Sequence, residues 1–250
     1  MKYKFLSFMA IAFTLIGAGA EVSKVDEHHE YLVNSKNIEE VRESEAVEVS
    51  ESFETKAYSI YNSLELNGFN APSAKVFTNA LKGYFKLKEK GDVTNQKLTI
   101  VDFSVSSSVK RLWVIDMEKF EIVLQSYVAH GKKTGDEYAV SFSNRINSHM
   151  SSLGFYKTGE TYNGRNGFSL RLDGLERGIN DNARVRAIVI HGADYASEEL
   201  VKTQGRLGRS YGCPAVPVEI NQTLIELIKE NSCLYIYYPS SDYMKRSLFV

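Results

Sequence analysis

Two cysteines, Cys213 and Cys233, are all that the 250 residues contain, too few for the disulfide framework by which small secreted domains make up for a thin core. They still permit one bridge, or one reactive thiol beside one buried thiol, and composition leaves both open. Charge of one sign is missing as well: 30 basic against 31 acidic residues leave a net charge of −1. Without a basic surface, and with no Lys/Arg cluster interleaved with aromatics, nucleic acid is excluded as a partner. No apolar run reaches the ~20 residues needed to cross a bilayer. There is no Cys-x-x-Cys, no His-Glu-x-x-His and no dense His/Asp cluster, so zinc has no recognisable ligand set. The glycine-rich stretches 159–167 and 205–208 lack the Gly-Lys-Ser/Thr of a phosphate loop and read as turns around a cleft. No cofactor is expected, and no internal repeat is found.

What is present suits a folded globular domain. Hydrophobic residues make up 43% of the chain and aromatics 12%, enough for a packed core at this length. Lys2 and Lys4 precede an apolar run over 5–16, and Gly17-Ala18-Gly19-Ala20 follows with a small-x-small site before Glu21. This pattern predicts a secretory signal peptide over 1–20, hence export to the periplasm or cell envelope with no stable membrane insertion after cleavage. Residues 21–56 hold eleven acidic and four basic residues and neither Pro nor Gly, which predicts an acidic, solvated arm.

Beyond the arm, helical spacing covers 57–66 and 72–88, with Pro72 suited to a first turn and Gly91 to a stop. This helical segment, 57–91, is expected to pack on a catalytic domain over 92–250. From there the period becomes that of strands. Runs at 98–103, 111–116 and 121–128 predict consecutive antiparallel strands, and 169–172 and 186–190 continue the pattern. One helix over 218–229 and a last strand over 234–238, stopped by Pro239, complete a mainly β domain with helices at its margins.

The strand ending at Ile190 runs into His191-Gly192, and 22 positions after His191 comes Cys213 within Gly208-Arg209-Ser210-Tyr211-Gly212-Cys213-Pro214-Ala215. Both motifs fall on loops beside strand ends, where catalytic groups are commonly built. A thiol needs a neighbouring base to become a nucleophile near neutral pH, and an imidazole is one. Gly212 allows a tight turn that presents its own amide and that of Cys213 to a developing oxyanion. Ser210 is expected to accept from the second imidazole nitrogen and hold the tautomer. Pro214 stiffens the exit from the loop.

These residues resemble the L,D-transpeptidase (YkuD-type) catalytic domain, in the branch ending in Gly-Cys-Pro-Ala. The likeness extends upstream through Asp102-Phe103-Ser104, Lys110-Arg111-Leu112-Trp113, Ala129-His130-Gly131-Lys132, Phe142-Ser143-Asn144, Ser151-Ser152-Leu153-Gly154-Phe155-Tyr156 and Asn180-Asp181, and it covers roughly 71–238. It implies a β-sandwich or barrel-like domain acting on peptidoglycan stem peptides. Cys213 would be acylated at the bond between the third, L-configured residue and a terminal D-alanine, with His191 as base. An amine acceptor makes the reaction a transpeptidation; water would make it an L,D-carboxypeptidase or endopeptidase reaction, and a noncatalytic wall-binding protein is the remaining alternative. Gly192, Arg209, Tyr211, His130 and Tyr156 are the expected substrate contacts. Two positions depart from the commonest family pattern: Tyr211 stands where many members have His, and Ala215 where many have Arg or Asn. Arg206 and Arg209 are the nearest cations in sequence to replace the latter. Cys233 reads as a small buried hydrophobe, and a bridge to Cys213 is not expected.

Overall fold

The computed structural model describes residues 52–250; the expected signal peptide and nearly all of the acidic arm lie outside the described residues. Helix α1 (Phe53–Asn62) begins four residues earlier than its periodicity suggests, because Ser52 caps it by accepting from the Thr55 amide. Helix α2 (Ala74–Glu89) is capped in the same way by Ser73 and ends on Lys86 and Lys88, cations that suit the negative end of a helix. Its buried face, Val76, Phe77, Leu81, Tyr84 and Leu87, is the apolar stripe of a 3.6-residue period, each side chain worth roughly 1.5–3 kcal/mol on burial.

Eight strands form one sheet: β1 (Lys97–Asp102), β2 (Leu112–Asp116), β3 (Glu121–Ser126), β4 (Gly154–Gly164), β5 (Gly167–Gly174), β6 (Val189–Gly192), β7 (Ala215–Val216) and β8 (Cys233–Tyr237). Their spatial order is β3-β2-β1-β8-β4-β5-β6-β7. The first three pair antiparallel as expected. The last strand instead inserts at the centre, parallel to β1 and antiparallel to β4. Every residue of β8 is buried, which is why it reads as a continuous apolar run rather than an alternation. Helix α2 covers β1 and β8, and α4 (Val218–Ile228) covers β1, β5 and β6.

The sheet coils into a nearly closed barrel. The chain leaving β3 crosses to the opposite edge, where Ala129 bridges Ala215 of β7 and Gly131 bridges Ser210. The outer edge of β3 is covered by Glu65, which exchanges backbone hydrogen bonds with Phe120 and Ile122, and the indole of Trp113 donates to the Asn70 carbonyl at 2.6 Å. Both edges of the sheet are thereby occupied.

Three expectations change. The 159–167 stretch is not a set of cleft turns: it is the end of β4 and its hairpin with β5, where Gly164 pairs with Gly167 across Arg165 and Asn166. A register shift between Thr158 and Thr161 inserts Gly159 as part of a bulge, and the bulge interrupts the alternation that would have revealed the strand. Strand β6 starts at Val189, later than 186, because Ala187 takes a left-handed φ of 54° in the preceding turn. Two short helices, α3 (Glu198–Gln204) and α5 (Ser241–Arg246), were not expected beside α4. At under two turns each they show too little periodicity, and their signals are the capping serines Ser197 and Ser240 and, for α3, Gly205 in a left-handed C-cap.

Helix α2 and the sheet share one core at a close approach. A Cβ on Gly83 would stand 2.1 Å from the ring of Phe155, which itself stacks on Tyr235 at 4.2 Å. Gly83→Ala is therefore expected to destabilise the protein by about 1–3 kcal/mol through overpacking, despite alanine's better helix propensity. Thermal denaturation of the variant checks this; a raised Tm would show that the ring moves aside freely.

Candidate active site

Strands β6 and β7 build the centre of the site. They run parallel with His191 opposite Ala215 and Gly192 opposite Val216, so the backbone of the His-Gly motif and the exit of the Gly-Cys-Pro loop are neighbours. Gly192 is glycine for a packing reason: a Cβ there would lie 3.2 Å from the Val218 Cα and 3.1 Å from the Asn221 Cβ of α4.

The tautomer of His191 follows from its single hydrogen bond. Nδ1 lies 2.9 Å from the Gly192 carbonyl oxygen, an atom that can only accept, so Nδ1 carries the proton and Nε2 keeps its lone pair. Burial pushes the imidazole below its ordinary value, although the Gly192 carbonyl opposes this. At neutral pH the ring is accordingly an uncharged base.

Cys213 and Cys233 are both free thiols. Cys213 is partly exposed as a residue, yet its sulfur is closely surrounded by protein. That burial pushes its thiol up, while the Val189 amide and the Arg186 charge pull the other way. The sulfur donates to the Ala187 carbonyl at 3.7 Å. Cys233 opens β8 fully buried, and burial pushes its thiol up as well. Both displacements favour the uncharged forms, a protonated thiol on Cys213 and a neutral imidazole on His191.

Ser210 does not hold the imidazole, contrary to expectation. Its hydroxyl donates to the Cys213 carbonyl at 2.6 Å and accepts from the Gly212 amide at 3.0 Å, tying the nucleophile loop to itself. The role expected of Ser210 is taken by the Gly192 carbonyl. Gly212 sits at φ 127°, a conformation that favours glycine. Its amide is occupied by Ser210, which leaves the Cys213 amide as the donor of the expected pair with no protein acceptor among the described residues.

The other expected contacts divide. Tyr211 is 68% exposed and packs edge-on against the His149 ring at 4.6 Å, at the open side of the loop. Arg209 is turned away, engaged by Asp136 and donating to the Gly135 carbonyl at 3.1 Å. Arg206 donates to the Leu207 carbonyl, so neither cation stands in for the side chain missing at Ala215. His130 and Tyr156 are each 1% exposed and offer no surface to a substrate. His130 lies against the Arg111 guanidinium, 2.8 Å from its Nδ1, and burial together with that charge holds it down to about 4. Its backbone carbonyl accepts from the Ser210 amide, a supporting contact behind the loop. The Tyr156 hydroxyl donates to the Ser152 carbonyl.

Tyr195 joins the site. Its ring lies 6.5 Å from that of His191, and burial and the Cys213 thiolate push its hydroxyl up to about 12. A cavity of about 270 Å³, lined among others by Phe142, Ser143, Ser152 and Tyr238, lies along the segment that contacts Arg186.

The site thus sits in a mainly β, nearly closed barrel, with a histidine near the end of β6 and a cysteine loop leading into β7. Residues 70–237 match the L,D-transpeptidase catalytic domain, and the chain belongs to that family, whose members act on peptidoglycan peptides. Comparison with curated protein sequences gives no match. Among solved structures, an L,D-transpeptidase from Mycobacterium smegmatis is similar at 12% identity and a TM-score of 0.36, over 57% of this chain and 59% of that one. A mutant of the helical cell shape determining protein Pgp2 from Campylobacter jejuni is similar at 14% identity and a TM-score of 0.40, over 65% and 57%. An L,D-transpeptidase from Stackebrandtia nassauensis is similar at 12% identity and a TM-score of 0.34, over 67% and 68%. The chain spans less than two thirds of the length of the first two. Among the described residues no helix is long and apolar enough to cross a membrane.

Proposed function

We propose that the protein is an exported peptidoglycan L,D-transpeptidase that works through an acyl-cysteine intermediate, with Cys213 as nucleophile and His191 as general base. The observation that carries this reading is the tautomer of His191: with Nδ1–H committed to the Gly192 carbonyl, Nε2 is the one ring atom able to take a proton. Export rests on the Lys2 to Ala20 pattern.

In the reaction the Cys213 sulfur attacks the carbonyl of the L-configured third residue as its proton passes to His191 Nε2. The oxyanion of the tetrahedral intermediate is met by the Cys213 amide. Collapse breaks the bond to D-alanine, whose amine leaves with the proton from Nε2, and a thioester remains on Cys213. An acceptor amine then attacks the thioester and gives its proton to Nε2. The second tetrahedral intermediate expels the thiolate, which recovers that proton. Ser210 contributes by holding the loop between Gly212 and Cys213.

Purified mature protein incubated with a tetrapeptide muropeptide and a free D-amino acid other than alanine tests this. Mass spectrometry is expected to show D-alanine released and the added amino acid in its place. Accumulation of the tripeptide alone would make water the acceptor and the protein an L,D-carboxypeptidase; absence of any D-alanine release would overturn the assignment.

A further inference from the structure

Arg186 stands in the turn before β6, its charge unanswered among the described residues. Nη1 donates to the Ser143 carbonyl at 2.9 Å and to Ser152 Oγ at 2.6 Å. Nη2 donates to Ser148 Oγ at 3.2 Å and to the Met150 carbonyl. All four acceptors are neutral, and no ion pair among the described residues includes this guanidinium. A half-buried cation held only by dipoles keeps its field for whatever anion forms beside it.

What lies beside it is the cysteine loop. A Cβ on Gly212 would stand 3.2 Å from Arg186 Nη2, and the Cys213 sulfur donates to the carbonyl of Ala187, the next residue in the chain. The influence is reciprocal: the guanidinium favours the thiolate and the thiolate favours the guanidinium. Tyr195 also faces the sulfur, and Tyr156 faces the guanidinium. His191 stands on β6, and burial holds it below its ordinary value, toward the uncharged form. Ala215 brings no cation, and Arg209 and Arg206 are engaged elsewhere.

We propose that Arg186 is a positioning residue for the reaction: the fixed positive charge that stabilises the anionic sulfur of Cys213, while its four hydrogen bonds clamp the 143–152 segment against the cysteine loop. The inference deepens the functional reading above and rests on Cys213 being the nucleophile. It predicts that charge and clamp are separable. Arg186→Lys keeps the charge and loses most of the clamp; Arg186→Gln keeps part of the clamp and loses the charge; Arg186→Met loses both.

The test is the rate of Cys213 alkylation by iodoacetamide between about pH 6 and 11, a window reaching above the ordinary thiol value because burial pushes this thiol up, read by peptide mass on the full mature chain. Near-UV circular dichroism checks that each variant is folded. Arg186→Met is expected to move the alkylation midpoint up by about one pH unit and to slow the reaction at pH 7 about tenfold, with Arg186→Lys staying near wild type. If Arg186→Met does not fold, Arg186→Gln carries the same expectation. A charge-free variant whose profile overlays the wild type would overturn the proposal, as would a lysine variant shifted as far as the charge-free one, because the clamp alone would then explain the effect. Failure of the nucleophile reading looks different: Cys213→Ala would still be acylated by a substrate analogue, whatever the alkylation profiles of the Arg186 variants.

Discussion

Cys213→Ala is expected to abolish covalent capture of a carbapenem, measured as the loss of one added drug mass on the intact protein. The probe carries a strained amide, an acyl donor that opens onto a nucleophile without losing a fragment. If the reading above holds, wild-type protein gains one drug molecule on Cys213 through a thioester. No second thiol is available to replace it: Cys233 is fully buried at the start of β8, and burial pushes its thiol up, away from the nucleophilic form. Cys213→Ser is expected to remain unmodified as well, since a serine hydroxyl with no activation beyond a neutral imidazole is far less nucleophilic than a thiol. A drug adduct on the alanine variant would show that another group carries the acyl chain and would remove Cys213 from the mechanism.

His191→Ala is expected to slow the same acylation by about 10²–10⁴-fold near pH 7, the usual cost of losing a general base. The pH profile separates base catalysis from a structural effect. Burial displaces the two groups in opposite directions, His191 downward and Cys213 upward from their ordinary values. Between those displaced values the wild type holds a neutral imidazole beside a protonated thiol, so its rate is expected to be flat from about pH 7 to 8. Without the imidazole, only the small thiolate fraction reacts, and that fraction grows about tenfold per pH unit below the thiol's value. The variant's rate is therefore expected to climb steeply over the range where the wild type is level, narrowing the gap as pH rises. A variant rate equal to wild type at pH 7, or a deficit constant across pH, would show that His191 is not the base.

The likeness to the L,D-transpeptidase catalytic domain was legible because it rests on contiguous residues. His191-Gly192, Ser210-x-Gly212-Cys213-Pro214 and the upstream segments are short runs in which residue type and order carry the signal. Most strands were legible for a related reason, since β-rich runs declare themselves locally. Strand β8 was visible as a run over 234–238, although its central place, between β1 and β4, was not. Strand β4 was misread because Gly159 and its bulge interrupt the alternation. The short helices α3 and α5 escaped because fewer than two turns leave little periodicity to detect.

Side-chain direction was a different matter. Ser210 was placed correctly in the loop and given the wrong partner, since a hydroxyl with several polar groups within reach takes its partners by loop conformation, here accepting from the Gly212 amide and donating to the Cys213 carbonyl. His130 and Tyr156 sit in motifs shared with the family, and motif membership does not tell a buried support from a substrate contact. Arg186 carried no signal at all: a lone arginine in a turn has neither spacing nor period, and its acceptors come from a segment some forty residues earlier in the chain.

By itself the sequence determined the class of fold, the identity of the family and the residue types available for acyl transfer, all properties of short windows along the chain. Tertiary structure alone decided that the last strand enters the middle of the sheet and that the segment after β3 crosses to β7. It also decided that His191 is held by the Gly192 carbonyl and that Arg186, without an ion pair among the described residues, lies against the cysteine loop. The physical reason is that side-chain directions depend on the backbone conformation that packing imposes, and local fields on distances between residues far apart in sequence, both of which exist only once the sheet has closed.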